Sequence, residues 1–305
     1  MCLFFPGWLI FCLRSLRLSC FRCFKIMRCS VVAAAALGFV GGALWGGGGL
    51  HASHPPMEVG EEEGVARLVR FGFPGLDTVR SRKSYVLSYD RRNRVPHWVI
   101  EHLTPQQVVR DASVSRAKSE FFEDASVHPF FRATHADYRG SGFDRGHLAA
   151  AGNHAHSQDA LDDTFVLSNV APQVGKGFNR DTWNRLEKYV RKKARQHKNT
   201  YVCTGPLYLP RFEEDGKKYV KYRVIGPHDV AVPTHFFKAV LCEREGDALF
   251  ELETFVLPNA PIDDDVPLSA FLVPRDVVER AAGLLLFEKL PDAAFHRING
   301  HRVTK

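Results

Sequence analysis

Residues 141–153 read SGFDRGHLAAAGN, and residues 167–187 open on LSNVAPQ and close on NRDTWNRLE. These two stretches decide how the whole chain is read. A lone imidazole such as His147 is more often a hydrogen-bonded structural group than a catalyst, but its company here is unusual. Flanking glycines permit a close backbone approach, Asp144 and Arg145 stand immediately before it, and an amide-rich strand-to-helix unit follows. Residues eight apart on a helix project about 80° apart at 3.6 residues per turn. Asn179 at a helix start and Glu187 two turns in therefore overlook one pocket.

Working outward, residues 83–90 (KSYVLSYD) alternate apolar and polar side chains, a turn-forming RRNRVP follows, and 96–103 (PHWVIEHL) return, which predicts a hairpin. Further strands are expected at 165–169 (FVLSN), 200–204 (TYVCT), 219–225 (YVKYRVI), 234–243 (THFFKAVLCE) and 250–257 (FELETFVL). Helices are expected at 157–163 with Ser157 as cap, at 180–197, and at 274–282, where Pro274 suits the first turn and Gly283 the stop. Strands outnumber helices and run in succession, which predicts an α+β domain and not a doubly wound parallel sheet. There is no internal repeat and no phosphate-cradling glycine loop.

Asp144-Arg145-Gly146-His147, the block Ser168-Asn169-Val170-Ala171-Pro172-Gln173, and the later Asn179 and Trp183-Asn184-Arg185-Leu186-Glu187 resemble the DNA/RNA non-specific endonuclease family, the ββα-metal nucleases built around a DRGH motif. Segments 133–151, 162–174, 201–206 and 230–238 are most similar to the family's mitochondrial members, and the likeness spans about residues 67–290. The resemblance implies a ββα-metal nuclease fold with a central, mainly antiparallel sheet flanked by helices. It implies hydrolysis of DNA and RNA with little sequence preference, to 5′-phosphate and 3′-hydroxyl ends, with Mg²⁺ as cofactor and Mn²⁺ as an alternative ion.

Physical chemistry agrees with that implication. The negative oxygens of a phosphodiester repel a nucleophile, so hydrolysis needs a base to sharpen water, a cation to absorb charge and a route for the leaving oxygen. His147, titrating near neutrality, suits the base. The resemblance gives it that role, makes Asn179 the direct metal ligand, has Glu187 hold metal-bound water, and has Asn169 position His147 or its water. A neutral amide ligand leaves the ion's charge undiminished, and Mg²⁺ readily keeps several waters.

An arginine is expected to neutralise developing charge on the phosphoryl group. Arg116, in 115–121 (SRAKSEF), is the candidate by its distance upstream, with an ordinary surface arginine as the other reading. Arg145 reads as structural or phosphate-facing. The run 185–197 (RLEKYVRKKARQH) is a basic helix face suited either to tracking a phosphate backbone or to plain solvation. His135, His154 and His235 carry no assigned role, and His154 with His156 lacks partners for zinc. Trp183 and the phenylalanines belong to the core. Two other function classes stand beside the endonuclease: a catalytically idle nucleic-acid-binding protein, against which His147, Asn179 and Glu187 together speak, and a phosphomonoesterase using the same metal.

Of 305 residues, 45% are apolar and 25% charged, which excludes disorder, a collagen-like repeat and a small disulfide scaffold. The net charge of +7 is uneven, because residues 1–57 hold Arg14, Arg17, Arg22, Lys25 and Arg28 and no acid. Setting those five aside leaves 36 bases against 34 acids, so global charge says little about nucleic-acid binding by the folded part. Five of the seven cysteines also fall in the first 29 residues, where Cys20 and Cys23 lack a second ligand pair for zinc.

Bases without acids, followed by an uncharged apolar stretch at 30–50 of about the 20 residues needed to span a bilayer, read as a mitochondrial presequence with a sorting segment; a secretory signal or signal anchor is the alternative. Initiation at Met27 would leave Arg28 alone. The predicted layout is a presequence at 1–57, a linker at 58–66, the nuclease domain at 67–290 and a tail at 291–305. That address implies the mitochondrial intermembrane space, with transient inner-membrane contact through residues 30–50. The resemblance adds a homodimer, roles in mitochondrial nucleic-acid processing and apoptotic DNA degradation, and nuclear action after release.

Overall fold

Alternating side chains in β2 (Tyr85–Asp90) and β3 (Val95–Leu103) build the expected hairpin, which β1 (Thr78–Ser81) extends at one edge. The computed structural model describes residues 68–72, 78–244, 246 and 249–303, all within a compact unit of residues 57–305. The presequence, its apolar stretch, the linker and the Cys20/Cys23 pair lie outside the described residues. No helix among the described residues is long and apolar enough to cross a membrane.

Two ribbons of the middle chain are small: β4 (Asp144–His147) pairs with β5 (Val170–Gln173), and β7 (Arg211–Phe212) with β8 (Lys218–Tyr219). Another short pair joins β9 (Val224–Ile225) to β10 (Val230–Ala231). The main sheet instead takes β6 (Asn199–Leu207), β11 (His235–Glu243) and β12 (Phe250–Pro258), then β13 (Phe295–Ile298) and β14 (His301–Arg302). Its order is β1-β2-β3-β6-β11-β12-β13-β14. Every pairing in it is antiparallel except β12 with β13. The fold is thus the α+β, mainly antiparallel architecture that the sequence predicts.

Period-two alternation sends β-strand side chains to opposite faces, and here both faces are covered. On one, Val99, Leu103, Val202, Phe236 and Val240 pack with Trp183, Leu186 and Val190 of the segment leading into and forming the long helix Asn184–Gln196. On the other, Trp98, Ile100, Tyr201, Phe237 and Leu241 meet Val278 of the helix Arg275–Ala282 and Leu284 beyond it. Burying each Leu, Val or Phe contributes about 1.5–3 kcal/mol, which explains why β6 and β11 read as nearly continuous apolar runs.

Three segments depart from expectation. Residues 165–169 are not a strand: Val166 makes a single bridge to Phe122, and Leu167–Asn169 form a 3₁₀ turn before β5 begins at Val170. Residues 219–225 contribute only two-residue ribbon ends, because no long neighbouring strand offers them a ladder. The helix expected from residue 180 is regular only from Asn184; Gly175–Trp183 precede it as wide turns, broken at Lys176 and Gly177. Gly177 has φ +83°, and a Cβ there would lie 2.8 Å from the Pro261 backbone. The expected helix at Gln158–Asp163 is present with its Ser157 cap, whose hydroxyl accepts from the Ala160 amide, a contact worth about 1 kcal/mol. Beyond residue 290, the segment read as a tail supplies β13 and β14 at the sheet edge.

Candidate active site

The β4–β5 ribbon aligns Asp144 with Gln173 and His147 with Val170, and the chain leaving β5 runs through the wide-turn segment into the long helix. Gly146 is required in this ribbon because a Cβ there would stand 2.0 Å from the Gln173 side-chain oxygen. Asn259 holds the exit of β5 by accepting from the Val174 amide and donating to the carbonyls of Pro172 and Pro233. His147 at the end of β4, Asn179 in the wide turns and Glu187 in the long helix are thereby brought to one cavity of about 270 Å³, shared with Arg116, Arg180 and Asn184.

His147 is 7% exposed, and its ring packs against Phe121 and Phe165 at centroid distances of 5.2 and 4.7 Å, in a triangle of rings whose third side, Phe121 to Phe165, is 4.9 Å. Its Nε2 is buried with no hydrogen-bond partner. Burial, reinforced by the cationic Arg116 and Arg145, lowers the imidazole from 6.5 to about 3. This corrects the expectation of a group titrating near neutrality, since the ring stays neutral through the physiological range.

Asn179 donates Nδ2 to Asp144 Oδ2 at 2.9 Å. Arg180 grips the same carboxylate through Nε at 2.8 Å and Nη2 at 2.6 Å. The Arg180 hydrogen bond leads the causes that hold the Asp144 carboxyl below its usual range. With its amide nitrogen fixed, Asn179 presents the neutral carbonyl oxygen as its remaining donor atom. Glu187 is pushed up by burial and drawn back by Lys238 and Arg191.

Arg116 opens the 3₁₀ turn Arg116–Lys118 and lines both this cavity and a neighbouring groove of about 690 Å³, with its guanidinium 5.4 Å from the Phe165 ring centre. The groove also takes in His135, Arg139 and Arg145, and shares Asn179 and Arg180 with the smaller cavity. Arg145 lies over the Phe121 ring at 4.4 Å and reaches His135 Nδ1 at 3.4 Å. A cationic trough thus leads to the neutral imidazole of His147 and the amide of Asn179.

Asn169 does not share that cavity. Fully buried, it accepts from the Ala149 amide and donates to the carbonyls of Ala149 and Thr164. Any positioning of His147 by the Asn169 side chain therefore runs through the backbone at Ala149. The basic helix is also less free than its sequence suggests. Arg185 donates to the Asp264 and Val266 carbonyls, Lys193 pairs with Glu251 and Glu253, and Arg191 bonds Asn153, leaving Lys188, Lys192 and Arg195 exposed. His154 bonds Glu101 at 2.9 Å.

Sequence reasoning missed the packing of Phe121 and Phe165 against His147, the Asp144–Arg180 clamp on Asn179, and the buried Lys238. The clamp had a local signal, an acid in the motif and a base beside the amide. The other two arise from contacts across long sequence separations and had none.

A profile of the DNA/RNA non-specific endonuclease family matches residues 64–293. Mitochondrial endonuclease G of Homo sapiens is 58% identical over 218 residues, 72% of each chain. That of Bos taurus is 54% identical over 255 residues, 84% of this chain and 79% of the other. The mitochondrial nuclease of Saccharomyces cerevisiae is 44% identical over 232 residues, 73% and 69% of the two chains. A chain in the crystal structure of the EndoG/EndoGI complex superposes with TM-score 0.77 at 55% identity, covering 79% of this chain and 98% of that one. With its profile match extending over both the β4–β5 ribbon and the long helix, the chain belongs to the DNA/RNA non-specific endonuclease family and is an endonuclease, a hydrolase acting on ester bonds.

Proposed function

We propose that the protein hydrolyses internal phosphodiester bonds of DNA and RNA in a Mg²⁺-dependent reaction that leaves 5′-phosphate and 3′-hydroxyl ends. The observation that carries this reading is the convergence of His147, Asn179, Glu187 and Arg116 on one cavity. The donor set suits such an ion. Among the described residues there is no group of three or more His, Cys, Asp or Glu arranged to hold a metal, which disfavours Zn²⁺. One neutral amide oxygen with a nearby carboxylate matches an ion that retains most of its water, and Mn²⁺ accepts the same donors. Asn179 would hold the ion directly and Glu187 would hold it through bound water, and the ion supplies charge neutralisation at the phosphate when bound.

The chain's own residues provide the rest. Phe121 and Phe165 pack against the His147 ring and keep it fixed and water-poor. A base with a value near 3 is weak, and efficient proton transfer favours a value near the working pH. Phosphate oxygens seated against Arg116 and Arg145 offset two of the cations that depress the ring, so substrate itself raises the basicity of His147. The same arginines orient the diester through planar donors. Asp144 and Arg180 hold the Asn179 amide so that its oxygen needs no reorientation.

The mitochondrial names of the relatives and the acid-free basic amino terminus support a mitochondrial address. Within it we assign the intermembrane space, inner-membrane contact through residues 30–50, and nuclear action in apoptotic DNA degradation after release. The family likeness supports a homodimer, and a monomer by light scattering at micromolar concentration would refute it. Fusing residues 1–60 to a fluorescent reporter tests the address; secretion or endoplasmic-reticulum retention overturns it. The activity is tested by incubating residues 58–305 with plasmid and single-stranded RNA, with Mg²⁺ and then with EDTA. Metal-dependent cutting of both is expected. Release of terminal phosphate without internal cuts would favour the phosphomonoesterase, and no cleavage the idle binder.

A further inference from the structure

The cationic wall of the larger groove comes from one short stretch of chain. His135, Tyr138, Arg139, Phe143 and Arg145 all line the groove, yet the regular structure within residues 135–143 is a single helix of four residues, His135–Tyr138. Residues 139–143 then read RGSGF, with φ +67° at Gly140 and +82° at Gly142, and no atom within 4 Å of where a Cβ would stand at either. No ladder or helix fixes this segment, and its glycines open many alternative paths to the backbone.

What holds the wall is the turn at residues 223–228. The His228 amide donates to Asp137 Oδ1 at 2.9 Å, and its ring Nδ1 stands 3.1 Å from both carboxylate oxygens, across a sequence separation of 91 residues. A carboxylate only accepts, so Nδ1 carries its proton. Asp137 is fully buried, and its Oδ2 also accepts from the Thr134 amide and hydroxyl at 2.7 and 2.8 Å. Gly226, at φ +69°, lets the turn pack backbone to backbone, since a Cβ there would lie 2.1 Å from Asp137 Cα. Arg223 donates Nη2 to the Ser141 carbonyl at 3.3 Å, and its guanidinium lies 5.2 Å from the Phe143 ring centre. The turn is rooted in turn: Ile225 and Val230 belong to the core, the Val232 amide donates to the Arg223 carbonyl at 2.8 Å, and the Ala231 amide to that of Asn93 at 3.0 Å. We propose that residues 223–228 brace the wall of the groove at the width that receives nucleic acid, with His228 and Arg223 as positioning residues for substrate binding. Neither side chain lines the cavity of His147 and Asn179, so both act on binding and leave the chemical step alone. The inference rests on the nucleic-acid reading of the site.

The test measures binding of a labelled DNA duplex in EDTA by fluorescence polarisation, and Mg²⁺-dependent cleavage, for the parent, His228→Ala and His228→Asn. In His228→Ala, Kd and KM should both rise about tenfold, the affinity equivalent of one lost hydrogen bond to a charged group. Its kcat should be unchanged, as for loss of binding that ground and transition states share. His228→Asn keeps a side-chain N–H on Cγ, where Nδ1 stands, and should return both constants to within about twofold of the parent. A folded His228→Ala that binds and cleaves like the parent overturns the proposal. So does one that loses kcat with Kd unchanged, or a His228→Asn as weak as His228→Ala. If His228→Ala does not fold, Arg223→Met, at an exposed position, carries the test: Kd should rise about threefold with its salt dependence unchanged. An unchanged Kd overturns the proposal, and so does a salt slope smaller by about 0.9, which would place Arg223 on a phosphate. Failure of the parent to bind or cut nucleic acid would instead sink the underlying reading of the site.

Discussion

Replacing His147 with Gln removes a titrating group while keeping a polar side chain of similar reach beside Phe121 and Phe165. In the native protein the imidazole sits at about 3 against an ordinary 6.5. Between those values the unfolded chain binds a proton that the native site refuses, so stability falls as pH drops below 6.5 and recovers as pH rises. Each unit is worth about 1.4 kcal/mol. From pH 7 to pH 5 the parent should therefore lose about 2 kcal/mol on account of this ring. Urea unfolding at both pH values, without metal or nucleic acid, measures the loss. Carboxylates such as Asp124 and Asp144 titrate alike in the two proteins and cancel in the comparison. His147→Gln should be the less acid-sensitive by about 2 kcal/mol. Equal losses in both proteins would refute the claim that burial and the flanking arginines keep His147 neutral.

Two further outcomes follow from the anchoring of the amides. Asp144→Ala frees the Asn179 side chain from its acceptor, so half-maximal cleavage should need about 10- to 100-fold more Mg²⁺; an unchanged requirement in a metal titration would show that the clamp does not set the ligand. Asn169→Ala strands the Ala149 amide and the Ala149 and Thr164 carbonyls, which should cost about 2–4 kcal/mol. Denaturation curves would record that loss, and full stability with lost activity would instead place Asn169 in direct contact with the chemistry.

Much of the site was legible because the sequence carries it in two short blocks. The spacing of Asn179 and Glu187 placed them over one pocket even though the intervening turns are wide and not α-helical, since both geometries return the chain to the same side. The strands β2, β3, β6, β11 and β12 were legible from their apolar alternation or apolar runs. Residues 165–169 misled because FVLSN has strand composition, while Asn169 spends its amide on Thr164 and Ala149 and so forces a turn. Residues 219–225 alternate correctly but find no partner strand of their length, and pairing is a property of the neighbour. The depressed imidazole of His147 was invisible because Phe121, Phe165, Arg116 and Arg145 meet it only in the folded chain. Lys238, in an apolar run, carried no signal of its burial against Thr204 and Trp183.

The central claim assigns base and metal ligand to different atoms of one reaction. Mg²⁺ titration of cleavage by His147→Ala and Asn179→Ala, side by side, tests it most directly. His147→Ala should lose about 10²- to 10⁴-fold in rate at every Mg²⁺ concentration while still binding DNA. Asn179→Ala should recover part of its loss as Mg²⁺ is raised, and the double variant should fall short of the product of the two losses. Restoration of His147→Ala by excess Mg²⁺, or full activity in either single variant, would contradict the assignment.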